Sequence, residues 1–384
     1  MVHKCIYSLK TSDETEFATQ EHVIPAFLGG MKKLPIGYVS DDVNKMFSKL
    51  ELSFARETDI AIPRMFVGPG KRGNLNPAKA SPSKVHIFQY EDGLGFGLGY
   101  IKLGAPYPID QIHVFQGSAN VRFSLSPIEG SSNSELLSNF SSKLTSLNTE
   151  SSIKVLPDEN LDKLEYIFGY SDGKWYLAIN PTRCAGEAKD YILRFVQSIM
   201  LANRNGAVTM PNDMDEIGIK SSQIVSHFDF EIDLNNYYRV IAKTALNCLA
   251  HLKDNQFVLK PEFDSIRKAI YDDLDMSGYF GVLDSKTRGE HGSFADIFKK
   301  LDSLGGRGLG DQYHAIIFFS VMGAQMCIVG FYGLDNPYVI KLTEAATEPV
   351  LDGFFCDWRA RTELNLLEYI EAITGRDGYL DVSE

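Results

Sequence analysis

The sequence predicts a mixed α+β fold, in which a small N-terminal ββα unit precedes a larger region with antiparallel strands. Three observations predict this class. Apolar residues recur at steps of three and four over residues 41–57, which is the periodicity of an amphipathic helix. Two alternating runs flank Asp172-Gly173, which is a strong hairpin signal. Residues 313–344 contain three apolar runs in succession, which predict a three-stranded meander.

The ββα unit is predicted from the first 57 residues. HKCIYSL and HVIPAFL are predicted as short strands, and DDVNKMFSKLELSFARE is predicted as the helix, with Ser40 or Asp41 as its N-cap. The glycine- and proline-rich stretch GPGKRGNLNPAKASPSK (68–84) is predicted as a loop or linker. We therefore expect one domain over residues 1–84 and a second over 85–384, with a candidate division of the second near residue 225.

The larger region contains predicted strands and helices and no internal repeat. A Ser-rich stretch at 130–152 is predicted to be an exposed, partly helical connection. The other segments are assigned by their periodicity: strands at 85–90, 95–104 and 112–126, the hairpin at 164–180, and helices at 186–204, 235–255 and from residue 260 onward.

Composition and charge limit the classes of function. The chain of 384 residues has a net charge of −12, which argues against general binding of nucleic acid. The charge is uneven, because residues 1–84 carry twelve Lys or Arg and nine Asp or Glu, a net of +3, whereas the remainder carries a net of −15. A local contact with a polyanion is therefore expected in the N-terminal part rather than elsewhere.

Targeting signals and cysteine usage predict the compartment. No apolar run approaches the roughly 18 residues of a membrane-spanning helix, and the N-terminus has no apolar signal core. The five cysteines are widely spaced, odd in number and without metal-binding spacing. We therefore expect free thiols in a reducing compartment, a cytoplasmic location and no membrane partner.

The decapeptide EHVIPAFLGG (21–30) is the main candidate for chemistry. Its Glu21-His22 pair has two interpretations: an acid and a histidine that local hydrogen bonds satisfy at a strand end, or a base beside a metal ion. The second needs a partner, and Asn44 lies near the start of the predicted helix. In a ββα unit a neutral imidazole can deprotonate water, while a cation bound by a carboxylate and an amide stabilises phosphoryl-transfer charge.

The N-terminal part resembles the HNH endonuclease family of the ββα-metal type. The bacterial branch of that family has C-x-x-C, then E-H-[IV]-[IV]-P-x-x-L-G-G, then C-x-x-C-N before a helix, and EHVIPAFLGG is similar to its centre almost letter for letter. The resemblance covers roughly residues 4–73. RVIAKTALNCLAHL, FDSIRKAIYDD and IVGFYGLDNPYVIKL resemble, more loosely, segments of the long C-terminal region of full-length members.

The resemblance implies a role for each matching residue. His22 lies at the position of the general base, Glu21 at that of the adjacent acidic metal ligand, and Asn44 at that of the polar residue that completes the site. Glu51 lies two helical turns after Asn44, where it either approaches the metal or solvates that face. The implied metal is Mg²⁺, Mn²⁺ or a similar divalent cation. Candidate phosphate contacts, for which a solvated linker is the alternative, are Lys32, Lys33, Lys71, Arg72, Lys79 and Lys84.

The zinc site of that family is degenerate in this sequence. Its two C-x-x-C pairs supply four thiolates, but the four positions here are Cys5, Ser8, Ser40 and Val43, so we expect no structural zinc. Apolar packing must then hold the unit together. The residues expected to provide it are Ile6, Val23, Ile24, Phe27, Leu28, Val43, Met46, Phe47 and Leu50.

The sequence therefore predicts a metal-dependent endonuclease that hydrolyses nucleic-acid phosphodiesters, with DNA as the expected substrate. A homodimer would suit the cutting of both strands, and the resemblance implies a role in restriction or phage defence. The degenerate zinc site also fits an alternative, a catalytically inactive HNH-like module that binds nucleic acid, interacts with protein or acts as a sensor. Residues 85–384 would supply specificity, dimerisation or regulation.

Overall fold

The computed structural model has a mixed α+β fold, as the sequence predicts, with eight α-helices and three sheets among the described residues. No helix in this part of the chain is long and apolar enough to cross a bilayer. The residues described are 3–70, 73–76, 80, 82–90, 95–117, 121–126, 131–148, 150–204, 224–226, 232–281, 313–333 and 337–374.

The chain divides into two compact units. Unit 1 combines Met1–Ser81 with Phe230–Glu384, and unit 2 is Pro82–Asp229. The expected boundaries at residue 84 and near residue 225 lie close to the two points where the chain passes between units. The N-terminal residues, however, share one hydrophobic core with C-terminal residues instead of forming a separate domain. A short segment buries only a small share of its surface alone, which explains why its apolar residues pack against the C-terminal part.

The N-terminal part contains the helices α1 (Asp41–Glu57) and α2 (Ala61–Val67). The prediction of α1 is confirmed at both ends. The two predicted strands are not present as such in residues 3–70, where isolated bridges join Lys4 to Thr11 and His22 to Lys33. Pro25 lacks the N–H that a strand would donate, and the chain continues from it into a 3₁₀ turn, Ala26–Leu28.

The described residues of unit 2 form two sheets and two helices. The four-stranded sheet has the order β3-β2-β1-β9, and the five-stranded sheet has the order β5-β4-β7-β8-β6, in which only β6 and β8 pair in parallel. The strands are β1 (His86–Tyr90), β2 (Gly95–Lys102), β3 (Ala105–Pro108), β4 (Asp110–Phe115), β5 (Val121–Ser124), β6 (Ile153–Pro157), β7 (Glu165–Ser171), β8 (Lys174–Ile179) and β9 (Ile224–Ser226), and the helices are α3 (Asn133–Thr145) and α4 (Ala185–Arg204).

The predicted hairpin of unit 2 is confirmed as β7 and β8. Asp172 and Gly173 have φ of 47° and 76°, the left-handed conformation that a two-residue hairpin turn requires. The Ser-rich stretch is partly helical, as predicted, but one face of it is buried instead of exposed. It forms α3, which begins with a capping box and buries Phe140 and Leu144 against the five-stranded sheet. These apolar residues recur every fourth position, a pattern that the intervening serines obscure.

In the described part of the chain, unit 1 is completed by a six-stranded antiparallel sheet and four helices. The sheet order is β10-β13-β12-β11-β14-β15, and the predicted meander is confirmed as β11 to β13. The strands are β10 (Phe280–Gly281), β11 (Tyr313–Val321), β12 (Ala324–Gly330), β13 (Tyr338–Thr343), β14 (Asp352–Asp357) and β15 (Thr362–Asn365), and the helices are α5 (Leu234–Leu252), α6 (Asn255–Val258), α7 (Asp264–Tyr271) and α8 (Leu366–Thr374).

Helix α5 is the central element of unit 1. It contacts α1 as well as strands β12 and β14, and 13 of its 19 residues are buried. A helix that is buried on most of its surface must give each polar side chain a partner within the protein. Lys243 and Asn247, one turn apart on α5, are 0% exposed and have such partners in the N-terminal segment.

Candidate functional site

The backbone of the segment EHVIPAFLGG is held by side chains from the C-terminal part of unit 1. Asn247 Nδ2 on α5 donates a hydrogen bond to the carbonyl oxygen of His22 at 2.9 Å. The carboxylate of Glu363 on β15 accepts from the N–H groups of Met31 and Lys32 at 2.9 and 2.6 Å. The segment is therefore fixed at both ends by elements more than 200 residues away in sequence.

The middle of the segment is fixed by His314 on β11. Its Nε2 donates to the carbonyl oxygen of Leu28 at 2.9 Å, and its Nδ1 accepts from the N–H of Tyr332 at 3.0 Å. His314 is fully buried, and burial lowers its pKa to about 3, against the opposing hydrogen bond to Leu28. The neutral ring is thus a structural support for the segment.

Glu21 and Glu51, the carboxylate pair, share one buried ammonium group. Lys243 Nζ on α5 donates to Oε1 of Glu21 and to Oε1 of Glu51, the latter at 2.5 Å. The side chain of Lys243 is 1% exposed, that of Glu21 is 6% exposed and that of Glu51 is 18% exposed. The ammonium therefore lies on the interior side of the pair, and Glu51 is the more accessible carboxylate.

The pKa values of Lys243 and Glu51 depend on burial and on the charges close to each group. Burial alone would lower the pKa of Lys243, but the carboxylates of Glu21 and Glu51 outweigh it and raise that pKa above its usual value. Burial raises the pKa of the Glu51 carboxyl, which the ammonium of Lys243 opposes and the charge of Glu21 reinforces. When all three groups are ionised, the cluster has one net negative charge.

His22 is half-buried beside the carboxylate pair. Burial, and next the ammonium of Lys33, lower the pKa of His22 below its usual value, so the ring is neutral at pH 7. Glu51 lies within electrostatic reach and opposes that shift. Among the residues that the structure describes, none forms a hydrogen bond with the imidazole of His22. The ring therefore has a free nitrogen lone pair.

Asn44 takes part in a different set of contacts. Its Nδ2 donates to Thr19 Oγ1 at 3.0 Å, and the carboxylate of Asp41 accepts from the N–H of Thr19 at 2.8 Å. These bonds tie the chain before Glu21 to the first turn of α1. In the part of the chain that is described, no three His, Cys, Asp or Glu side chains form a metal-holding group.

The donor chemistry of the carboxylate pair nevertheless fits a hard divalent cation. Protein sites for Mg²⁺ use one or two carboxylates and leave the remaining positions to water and substrate phosphate. Glu21 and Glu51 meet that minimum in the type of donor, but the ammonium of Lys243 already bonds to both carboxylates. Glu21 and Glu51 are the residues that would hold such an ion, and the Nδ2 of Asn44 is bonded to Thr19 instead of contacting them.

The four positions of the degenerate zinc site lie in or near the core of unit 1. Cys5 is buried, Val43 is 1% exposed, and the N–H of Ser40 lies 3.5 Å from the Sγ of Cys5. Apolar packing joins the start of the chain to α1 at this place. Of the residues expected to provide it, Ile6, Val23, Ile24, Leu28, Val43 and Phe47 are buried in the main core, and Phe27, Met46 and Leu50 pack against it.

Only some of the residues predicted to contact phosphate are among the described residues. Lys71, Arg72 and Lys79 lie outside the described residues. Lys33 is exposed and pairs through its backbone with His22, whereas the Nζ of Lys32 lies 5.4 Å from the ring centroid of Phe354. Lys33 is therefore the described lysine that is placed best for a ligand at His22.

Sequence reasoning did not identify Lys243, Asn247 and Tyr7. The hydroxyl of Tyr7 lies 2.6 Å from Asn247 Oδ1 and 3.1 Å from the carbonyl oxygen of Lys243, and this orients the amide that holds His22. The sequence feature that could have identified Lys243 and Asn247 is their position one turn apart in the otherwise apolar run VIAKTALNCLA.

Of the four predicted site residues, the structure thus brings Glu21 and Glu51 together, places His22 beside them and directs Asn44 to Thr19. No known protein family, curated protein or solved structure matches the chain.

Proposed function

We propose that this chain hydrolyses nucleic-acid phosphodiesters as an HNH-type endonuclease with His22 as its general base. The observation that carries the proposal is the environment of His22: the imidazole is half-buried, its pKa is lowered by burial, and it forms no hydrogen bond with the described residues. A general base needs an unprotonated nitrogen that water can reach. The resemblance of EHVIPAFLGG to the centre of the HNH family supports the same role.

Each remaining residue of the site has a defined part in the proposal. Asn247 fixes the backbone at His22, and Lys33, whose backbone pairs with His22, would contact a substrate phosphate. Glu21 and Glu51 would hold Mg²⁺ or Mn²⁺, which when bound supplies stabilisation of the charge that develops on the phosphoryl group. His22 accepts the proton of the attacking water.

The substrate, the oligomeric state and the cellular role follow from the same proposal. DNA is the expected substrate, a homodimer the expected working form, and restriction or phage defence the expected role in the cytoplasm. These parts depend on the resemblance and on the mildly basic N-terminal segment, since no contact among the described residues identifies a partner.

A His22→Ala variant tests the proposed base. With Mg²⁺ or Mn²⁺ and plasmid, single-stranded DNA or structured RNA as substrates, we expect cleavage to be about 10²–10⁴-fold slower than in the parent, because the proton acceptor is lost. His251→Ala is the matched control, since it removes another half-buried histidine, from α5, and should cleave at the parental rate. Equal cleavage by the His22→Ala variant and the parent would reject the mechanism.

A second candidate function is a catalytically inactive HNH-like module that binds nucleic acid. The observation that favours it is the ammonium of Lys243, which already neutralises part of the carboxylate pair, together with the use of Asn44 by Thr19. This candidate predicts no product with any substrate or divalent ion, and binding whose affinity falls steeply with salt. The cleavage assay and a salt titration of binding therefore distinguish the two functions.

A further inference from the structure

Helix α1 has an exposed face that carries three basic side chains. Lys45, Lys49 and Arg56 are exposed, and steps of four and seven residues place them on one face of the helix. The opposite face of α1 packs in the main core through Val43 and Phe47. We call the three basic side chains the α1 basic stripe, which spans about 16 Å along the helix axis at roughly 1.5 Å per residue.

The α1 basic stripe is not neutralised by acidic side chains. None of its three members forms an ion pair with a residue that the structure describes. The four acidic side chains of α1 all have other partners: Asp41 accepts from Thr19, Asp42 from Lys10, Glu51 from Lys243 and Glu57 from Ser53. Pairs at i, i+3 or i, i+4 are the usual way to balance a charged helix face, so the stripe keeps its positive charge.

A further cationic group lies near the C-terminal end of the stripe. Burial lowers the pKa of Arg64, Tyr332 opposes that shift, and the charge of Arg56 adds to the lowering. The two guanidinium groups are therefore within electrostatic reach of each other. Because like charges repel, an anion near both groups would be attracted to this end of the stripe.

The chemistry and the length of the stripe fit a nucleic-acid backbone. One strand of a duplex carries a phosphate about every 3.4 Å along the helix axis, so about five phosphates of that strand lie within the length of the stripe. Lysine and arginine side chains are common partners of backbone phosphates. An anionic membrane fits less well, because an amphipathic helix binds a membrane through its apolar face, and the apolar face of α1 is buried.

We propose that the α1 basic stripe binds the phosphate backbone of nucleic acid through Lys45, Lys49 and Arg56. This inference rests on the proposed function for the identity of the partner, and it adds binding residues that sequence reasoning did not identify. The competing possibility is that the stripe is only solvated. The two differ in a measurable quantity, because each phosphate contact releases counterions and steepens the dependence of affinity on salt.

The triple variant Lys45→Gln/Lys49→Gln/Arg56→Gln tests the inference. The full-length chain is titrated into a fluorescently labelled duplex at several NaCl concentrations, with EDTA present. We expect the slope of log affinity against log salt to fall in magnitude by about 2.7, at about 0.9 for each lost contact, and the affinity at about 0.1 M salt to fall by about 10-fold or more. A slope equal to that of the parent would overturn the inference.

The matched control removes the same charge from exposed positions outside the stripe. Lys163→Gln/Lys253→Gln/Lys268→Gln changes the net charge by the same amount, and all three lysines are exposed. It should keep the parental slope, because these positions are not assigned to a phosphate. An equal loss of slope in this control would mean that net charge alone determines binding, and it would overturn the role of the stripe.

Two further variants guard against an effect on folding. Lys45→Arg/Lys49→Arg/Arg56→Lys keeps the charge of the stripe and should keep the parental slope, so a loss of slope there would contradict the inference. Lys49→Gln alone should lower the slope by about 0.9. This single variant decides the question if the triple variant does not fold, as judged by circular dichroism.

The outcome for the stripe is separable from the outcome for the nuclease. His22→Ala should keep the parental affinity and slope, since His22 is not part of the stripe. Binding that depends on the stripe, without cleavage of any substrate, supports the stripe and rejects the nuclease. Cleavage that depends on His22, with the parental slope in the triple variant, supports the nuclease and overturns the stripe. Absence of binding to duplex or single-stranded nucleic acid by the parent, or binding to phosphatidylserine vesicles instead, would also overturn the inference.

Discussion

Replacement of Gly30 by alanine should lower the free energy of unfolding by about 3 kcal/mol or more. A Cβ at this position would lie 1.9 Å from the carbonyl oxygen of Ile24 and 2.7 Å from its carbonyl carbon. Both are backbone atoms of the same turn, so no side-chain rotation relieves the overlap. Urea denaturation followed by circular dichroism measures the loss as a lower midpoint.

Gly278→Ala is the control for this prediction. Gly278 is exposed in unit 1, and a Cβ there would meet no atom within 4 Å, so its free energy of unfolding should change by less than about 1 kcal/mol. Equal midpoints for the Gly30→Ala and Gly278→Ala variants would contradict the close approach of residue 30 to the backbone of Ile24.

Gly29, which precedes Gly30, is constrained by its backbone conformation and by its contact with Trp358. Gly29 has φ of 93°, and a Cβ there would lie 2.5 Å from the Cβ of Trp358. The two glycines of EHVIPAFLGG are therefore required by the tight turn and by its packing on the C-terminal part. Glu21 and His22 at the start of the segment are the candidates for chemistry, whereas Gly29 and Gly30 at its end allow the backbone to turn and pack closely.

Helices and turns of this fold could be predicted from the sequence because the residues within each element determine its backbone conformation. The apolar spacing of residues 41–57 predicted α1 correctly, and Asp172-Gly173 predicted the β7–β8 hairpin, since each pattern suits one backbone conformation. The second predicted N-terminal strand, HVIPAFL, failed because Pro25 interrupts the pairing of the segment around it. The spacing of apolar residues predicts a strand there, but it does not take into account that Pro25 has no backbone N–H to donate.

The partners in the candidate site could not be predicted in the same way. A lysine inside an apolar helix indicates that a buried partner exists, but sequence spacing does not identify a carboxylate 222 residues away. Asn44 is a different case. Its position at the start of α1 suggested a ligand, whereas an asparagine in a first helical turn readily bonds to nearby loop groups, here Thr19.

The stability of the chain should fall as the pH decreases from about 6.5 toward 3, through protonation linked to His314. In the unfolded chain this imidazole takes up a proton near its usual pKa of about 6.5, whereas burial lowers its pKa to about 3 in the folded chain. Between these values the unfolded state binds more protons. The contribution of His314 is therefore complete above pH 6.5 and is lost at about 1.4 kcal/mol per pH unit as the pH falls.

His314→Phe isolates this contribution. At pH 7 the variant should be less stable than the parent, because the carbonyl of Leu28 and the N–H of Tyr332 lose their partner. At pH 4.5 the difference in unfolding free energy should be smaller by about 2–3 kcal/mol, since the variant has no imidazole to protonate at that position. Urea denaturation at both pH values measures the difference.

Leu28→Ala is the matched control, because it weakens the same core and keeps the imidazole. Its cost relative to the parent should be the same at pH 7 and pH 4.5. A gap between His314→Phe and the parent that stays constant over this range would mean that the folded chain protonates His314 as readily as the unfolded chain does. In acid the N–H of Tyr332 would then lose its acceptor in the folded chain, because only a neutral ring offers Nδ1 as an acceptor.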